Sequence, residues 1–167
     1  MKSKEKCIAV DLDGTISINN SGRSYYDDSK YDEDDVNKEI LNVITSLIEK
    51  HNYSLVVITG RMATEKGVKN TKKWLNDNGI IPACLYMRNN GDYRKDYVVK
   101  SELIKGIQKK YEIVYSFDDS NTSCKAYRDA GITCLQVAYD PGRIRKCCEK
   151  EKGNYCSTCG ADLKYGR

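Results

Sequence analysis

The stretch Cys7-Ile8-Ala9-Val10-Asp11-Leu12-Asp13-Gly14-Thr15 decides the fold. A short apolar run reads as a buried strand, and Gly14-Thr15 reads as the turn that ends it. Asp11 and Asp13 are therefore expected at the strand's carboxyl end, the edge at which open parallel sheets bind their ligands. A carboxylate can act as a covalent nucleophile toward phosphorus, and a second one two residues on can give and take a proton. An isolated Asp-x-Asp is more often an acidic turn, so the rest of the chain has to decide.

Outward from that strand, apolar runs alternate with stretches of helical spacing. Ser17 to Lys30 reads as a polar loop, followed by a helix carrying Val36, Ile40, Val43, Ile44, Leu47 and Ile48 on one face. Asp32, Glu33, Asp34 and Asp35 are read as acids serving the amino end of that helix. Ser54–Ile58 is a second strand ending in Thr59-Gly60-Arg61, and Thr64–Asn78 a helix stopped by Gly79. A strand at Ala83–Met87, a helix at Asp96–Lys109, a strand at Glu112–Phe117 closed by Asp118-Asp119, a helix at Ser120–Asp129 and a strand at Ile132–Val137 follow. The alternation predicts an α/β fold: a doubly wound, mostly parallel sheet with helices on both faces.

The 167 residues suit one domain, expected over residues 1–140, with a basic, cysteine-rich tail over 141–167 beyond Pro141-Gly142. Residues 1–140 carry 21 basic and 21 acidic side chains, the tail 7 and 3, so the net charge of +4 resides in the tail. A basic appendage can attract an anionic polymer, although charge runs are usually solvated faces. No apolar stretch is long enough for a membrane span, and Lys2 to Lys6 leads into nothing like a signal peptide, so a cytoplasmic protein with reduced thiols is expected.

Three predicted strands end in Asp11/Asp13, Thr59/Arg61 and Asp118/Asp119, which a parallel sheet brings to one crevice. Carboxylates crowded there call for a cation, and oxygen-only ligands suit Mg²⁺. Lys100, near the start of a helix at the same edge, is placed to neutralise the nucleophile and phosphoryl oxygens together. This order of an Asp-x-Asp strand end, a Thr strand end, a Lys and an acidic pair resembles the haloacid dehalogenase superfamily.

Val57-Ile58-Thr59-Gly60-Arg61, the run Arg88-Asn89-Asn90-Gly91-Asp92-Tyr93-Arg94-Lys95-Asp96-Tyr97-Val98-Val99-Lys100, and Gly131 to Ala138 resemble the phosphatase half of phage-type polynucleotide kinase-phosphatases. No G-x-x-x-x-G-K-[ST] loop accompanies them. The resemblance implies an Mg²⁺-dependent polynucleotide 3′-phosphatase with Asp11 as nucleophile, Asp13 as acid/base and Lys100 as the phosphate-site lysine. It implies substrate contacts from Arg23, Thr59, Gly60, Arg61 and Asp96. Mg²⁺ would be held by Asp11, the Asp13 backbone carbonyl, Asp118 and Asp119. The implied partners are DNA or RNA 3′ ends, in end repair with a ligase, polymerase or separate kinase.

The connections after the first and third strands are too short for a large specificity cap, so the crevice is expected to be open. Arg88, Arg94, Lys95, Lys69, Lys72 and Lys73 are candidates for lining the approach, each with a solvated surface charge as its plainer reading. Tyr25, Tyr26, Tyr93 and Tyr97 are candidates for stacking on a terminal base. Two alternatives stay open on the residues alone: a phosphatase of nucleotides or other small esters, and a non-catalytic nucleic-acid-binding module.

In the tail, Cys147-Cys148 and Cys156-x-x-Cys159 are candidate ligands of a structural Zn²⁺. Adjacent cysteines rarely bind one ion and a C-x-x-C knuckle can fold without metal. A three-cysteine site completed by His51, another cysteine or a second chain is therefore also open. Cys7, Cys84 and Cys134 read as buried strand residues, and Cys124 as a helical one without a partner in sequence.

Overall fold

The computed structural model describes residues 3–24 and 27–137. The expected tail domain, its four candidate zinc ligands, and Tyr25 and Tyr26 lie outside the described residues. The elements are β1 (Glu5–Val10), β2 (Ser17–Ile18), a 3₁₀ helix (Asp28–Glu33), β3 (Asp35–Val36), α1 (Lys38–His51), β4 (Ser54–Met62), α2 (Glu65–Asp77), β5 (Cys84–Arg88), α3 (Asp96–Gln108), β6 (Tyr111–Asp118), α4 (Asn121–Asp129) and β7 (Thr133–Gln136).

Five strands form one parallel sheet in the order β5-β4-β1-β6-β7. The chain winds outward from β1 through β4 to β5, then returns to the other side of β1 for β6 and β7. Strand direction and crossover handedness then place the helices on both faces. Successive β1 residues point to opposite sides, so Ile8 and Val10 pack with Ile44 of α1 and with Trp74 and Leu75 of α2. Cys7 and Ala9 pack on the other face with Ile104 and Ile107 of α3 and with Ala126 and Tyr127 of α4. A sheet buried on both faces needs continuous apolar strands, which β1 and the first half of β4 supply. The winding reverses between β1 and β6, and a switch point of this kind opens a crevice at the strands' carboxyl ends.

Two departures from the sequence expectation matter for what sits there. The Ser17–Lys30 stretch is not loop throughout: β2 pairs antiparallel with β3, and the 3₁₀ helix packs against α2. The acids at 32–35 do not open the helix. It begins at Lys38 behind the cap residue Asn37, whose side chain accepts from the Ile40 amide and donates to the Thr15 carbonyl. Asp32 faces Lys73, Asp35 accepts from Asn20, and Asp34 turns inward, 6% exposed.

Trp74 of α2, 1% exposed, ties the helical layer to this segment by donating its indole N–H to the Asp34 carbonyl at 2.6 Å. Truncating a buried tryptophan removes its packing and leaves a cavity. Trp74→Ala should lower unfolding free energy by about 3–5 kcal/mol in urea denaturation, while Trp74→Phe should lose only about 1 kcal/mol for the hydrogen bond plus a smaller packing loss.

Candidate active site

At the switch point, the carboxyl ends of β1, β4 and β6 and the first turns of α3 and α4 enclose a cleft of about 350 Å³. Its walls carry five carboxylates (Asp11, Asp13, Asp96, Asp118, Asp119) and three cations (Arg61, Arg88, Lys100), with Gly60, Ser120 and Ser123 between them. Each of the main groups is aimed by a local feature of the chain.

Lys100 sits one turn into α3 and is 2% exposed. Its ammonium donates to Asp11 Oδ1 at 2.6 Å, to Asp118 Oδ2 at 2.8 Å and to the Ile58 carbonyl at 2.9 Å, so its three protons have three acceptors. Lys100 thus joins the ends of β1, β4 and β6. Burial would lower its pKa, but the adjacent Asp11 and Asp118 carboxylates outweigh that and hold it well above the usual lysine range. Burial pushes Asp11 well up, opposed by Lys100 and reinforced by Asp118 and Asp119. Asp118 is raised for the same first reason, with Lys100 opposing.

The second aspartate is treated differently. Asp13 Oδ1 accepts from Arg23 at 2.5 Å and from Arg61 at 2.9 Å, and its Oδ2 accepts from Arg61 Nε at 2.9 Å. Burial would raise the Asp13 pKa, but Arg61 and then Arg23 outweigh it and hold the carboxyl below the usual range. Arg61 is aimed by an interruption in the sheet: the β4–β5 register slips between Thr59 and Met62, which takes Gly60 and Arg61 out of the ladder. The Thr59 hydroxyl accepts from the Arg61 amide at 3.2 Å and fixes this bend. Asp34 then bridges the two arginines, accepting from Arg23 at 2.8 and 2.5 Å and from Arg61 at 2.7 Å, while Ser17 Oγ donates to it at 2.6 Å. Tyr31, fully buried, lies under both guanidiniums at 4.7 and 4.5 Å.

Of the residues anticipated from sequence, Asp11, Asp13, Gly60, Arg61, Asp96, Lys100, Asp118 and Asp119 meet in the cleft. Two expected substrate contacts sit elsewhere. Thr59 is fully buried beneath the bend, and Arg23 lies behind Asp13 with a wholly buried side chain, reaching the cleft only through Asp13. Asp34, which the sequence reading assigned to a helix end, belongs to this network because β2–β3 pairing folds its segment back. The charge run around it masked this. Of the six basic residues that are candidates for lining the approach, Arg88 lines the cleft itself: it is 7% exposed and donates to Asp96 at 2.9 Å and to the Gly60 carbonyl at 3.2 Å. Lys69, Lys72, Lys73, Arg94 and Lys95 are exposed.

Carboxylate oxygens of Asp11, Asp118 and Asp119 lie within 4.8 Å of one another. Asp11 Oδ2 accepts no hydrogen bond among the described residues, since Lys100 takes Oδ1. Oxygen-only donors with an excess of negative charge in the cleft fit a hard divalent cation. Gly14 is required for this packing: its φ is +85°, and a Cβ there would stand 2.6 Å from the Asp119 carboxylate.

A parallel sheet in this order, with Asp-x-Asp leaving its central strand toward a lysine and an acidic pair, defines a haloacid dehalogenase-like fold. Over residues 5–141 the chain matches the family model described as the polynucleotide kinase PNKP phosphatase domain, and it belongs to that family. Among solved structures it is similar to a chain of the Pnkp1/Rnl/Hen1 complex, with 32% identity and a TM-score of 0.73 over 82% of this chain and 47% of that one. A chain of the Pnkp1/Rnl/Hen1 RNA repair complex gives the same identity and TM-score over 82% of this chain and 43% of that one. The chain therefore spans somewhat under half the length of these relatives. An uncharacterized protein from Listeria monocytogenes serotype 4b shares the fold, at 16% identity and a TM-score of 0.55 over 80% of this chain and 78% of that one. No curated protein sequence matched.

Two measurements test the arginine network. Asp34→Ala leaves two buried guanidiniums sharing one carboxylate and should cost about 3–5 kcal/mol in chemical denaturation at neutral pH. Because the folded pKa of Asp13 is depressed, the stability from its arginines is present above the ordinary value of 3.8 and is lost as pH falls through the lower folded value. The stability gap between the parent and Asp13→Asn should accordingly narrow in urea titrations from about pH 5 downward.

Proposed function

We propose that this chain removes the phosphate from the 3′ end of a polynucleotide, through a phosphate ester formed on Asp11. The observation that carries this reading is the division of labour between the two aspartates: Asp11 is shared with Lys100 and leaves one oxygen open to the cleft, while Asp13 is held by arginines beside it. Membership in the PNKP phosphatase family and likeness to a chain of an RNA repair complex support a nucleic-acid end as the substrate.

In this reading the phosphoryl group enters the cleft between Lys100 and Arg61, whose positive charge offsets that of its oxygens. Asp11 Oδ2 attacks phosphorus and the ribose 3′ oxygen leaves, so a P–O bond to Asp11 forms as the P–O bond to the sugar breaks. Asp13 supplies the proton that the departing oxygen needs, then takes one from the water that hydrolyses the ester. In the free protein its arginines keep Asp13 ionised. A phosphate dianion in the cleft changes that balance in two ways, by its own negative charge and by competing for Arg61, and both raise the Asp13 pKa. Asp11, Asp118 and Asp119 are the residues that would hold Mg²⁺, with the Asp13 carbonyl as the family resemblance implies; the ion would offset charge on the phosphoryl oxygens.

Arg23 and Asp34 act at one remove in this scheme, setting the position of Asp13 and Arg61. Asp96, bound to Arg88 and accepting from Ser123, shapes the wall on the α3 side. The described residues contain no helix long and apolar enough to cross a membrane. A working link to a separate kinase or ligase follows from the proposed substrate, because 3′ ends must be freed of phosphate before they can be joined or extended. The idle-module alternative is disfavoured by the complete set of charged partners around Asp11.

The test is phosphate release from 3′-phosphorylated DNA and RNA oligonucleotides, from the matching 5′-phosphorylated ones and from nucleoside 3′-monophosphates, with Mg²⁺ and with chelator. Turnover of the 3′-phosphorylated oligonucleotides should exceed that of both other classes and vanish with chelator. Asp11→Asn should abolish it while leaving the circular dichroism spectrum unchanged. Equal or better turnover of the mononucleotide would sink the polymer reading, and a near-native Asp11→Asn would sink the nucleophile.

A further inference from the structure

Beside the cleft, the β5–α3 connection (89–95) presents Tyr93 with 81% of its surface exposed. Single exposed aromatic rings are common, so exposure alone says nothing. The construction of the loop beneath the ring is what needs an explanation. Arg88, which lines the cleft, donates through one guanidinium nitrogen to the carbonyls of Asp92 at 3.2 Å and Arg94 at 2.9 Å, the residues on either side of Tyr93. The other ends of the same guanidinium grip Gly60 and Asp96, which also line the cleft.

Outside this anchor, Arg94 binds Asp92 at 2.8 and 3.0 Å and Glu102 at 2.8 Å, pinning the loop to α3. The Asp92 amide closes a turn onto the Asn89 carbonyl at 3.1 Å, with Gly91 at φ +78°. The backbone under Tyr93 is therefore fixed from both sides to the wall of the active site, yet the ring itself makes no hydrogen bond or ring contact among the described residues. Tyr97, the other aromatic of the segment, is spent on Asp129, to which its hydroxyl donates at 2.7 Å.

We propose that Tyr93 is a stacking platform for a nucleobase at the 3′ end whose phosphate enters the cleft, and thus a residue that sets substrate specificity. This rests on the polynucleotide 3′-phosphatase reading and deepens it by naming what distinguishes a nucleic-acid end from another phosphate ester. A flat π surface with two rotatable torsions, held on an anchored loop, loses little entropy when a base lies on it. Stacking accepts any base, which suits an enzyme that must act on ends of every sequence. Lys95, exposed next to the ring, supplies positive charge for an adjoining backbone phosphate.

The experiment compares two oligonucleotides with a 3′-terminal phosphate, one ending in an ordinary nucleotide and one whose terminal nucleotides lack a base, against the parent and Tyr93→Ala. The variant should melt at the parent's temperature, because the ring has no partners to lose. Its KM for the base-bearing substrate should rise by about 5- to 100-fold, in line with the loss of one aromatic stacking contact, with kcat little changed. Its KM for the base-less substrate should stay at the parent's value, and Tyr93→Trp should restore binding of the base-bearing one. An equal effect of Tyr93→Ala on both substrates, or no effect on either, would overturn the proposal. The same comparison of a nucleoside 3′-monophosphate with glycerol phosphate separates the two readings: a parent that prefers the mononucleotide to the oligonucleotide overturns the polymer substrate, and Tyr93 then stands or falls on this second pair.

Discussion

The arrangement depends on one buried cation. Lys100 holds the ends of three strands through Asp11, Asp118 and the Ile58 carbonyl, in a place where burial and like charge push both carboxylates toward protonation and the ammonium opposes them. Those carboxylates crowd together because the sheet reverses its winding between β1 and β6, so the two strands that carry them are neighbours. The helix α3 that delivers the lysine begins at the same edge and is seated by Ile104 and Ile107 against the sheet. Packing on one face of the sheet thus sets the geometry of the charges at its end.

A second network, on the opposite side of Asp13, supplies rigidity. Arg23, Arg61, Asp13 and Asp34 form a closed set of ion pairs over the Tyr31 ring, with Ser17 and Trp74 completing its hydrogen bonds. Such a set is poor evidence for net stability, because desolvating four charges offsets most of their attraction. Its consequence is positional: two guanidiniums keep the second aspartate ionised and fixed, while the first is left to the lysine. Two carboxylates a single residue apart in the chain are thereby shifted in opposite directions, Asp11 up and Asp13 down; the roles proposed for them need the reverse order, which a cation beside Asp11 and a phosphate beside Asp13 would supply.

The main elements were legible because their signals are local. Apolar strands buried on both faces, helices with spaced apolar residues and glycine stops specify β1, β4, α2, α3, β6 and α4 within a residue or a few of their observed ends. Asp11, Lys100, Asp118 and Asp119 were legible for a related reason, since each lies at the end or start of such an element and the parallel order brings those points together. Asp34 was not, and Arg88 only in part. Asp34 sat in an acidic run that looked like a helix entrance, and Arg88 stood among six basic residues that could line the approach, of which it alone lines the cleft. Nothing in either neighbourhood marks which member of the run turns inward. The positions of Arg23 and Thr59 behind the cleft wall were hidden by a similar limit, because a residue next to a site in sequence can stand behind it in space.

The amino-acid sequence by itself determined the order of strands and helices, the doubly wound class and the presence of an acidic, lysine-containing crevice. These follow from periodicity and from turn residues, which act over a few positions of the chain. Only the tertiary structure decided how the charges around Asp13 face each other: that Asp13 pairs with two arginines, that Asp34 joins them, and that Arg88 anchors the Tyr93 loop. The physical reason is that ion-pair partners here are set by the β4 bulge, the β2–β3 turn and burial. Those bring together groups separated by 10 to 48 positions in the chain, and the partnership leaves no periodic trace.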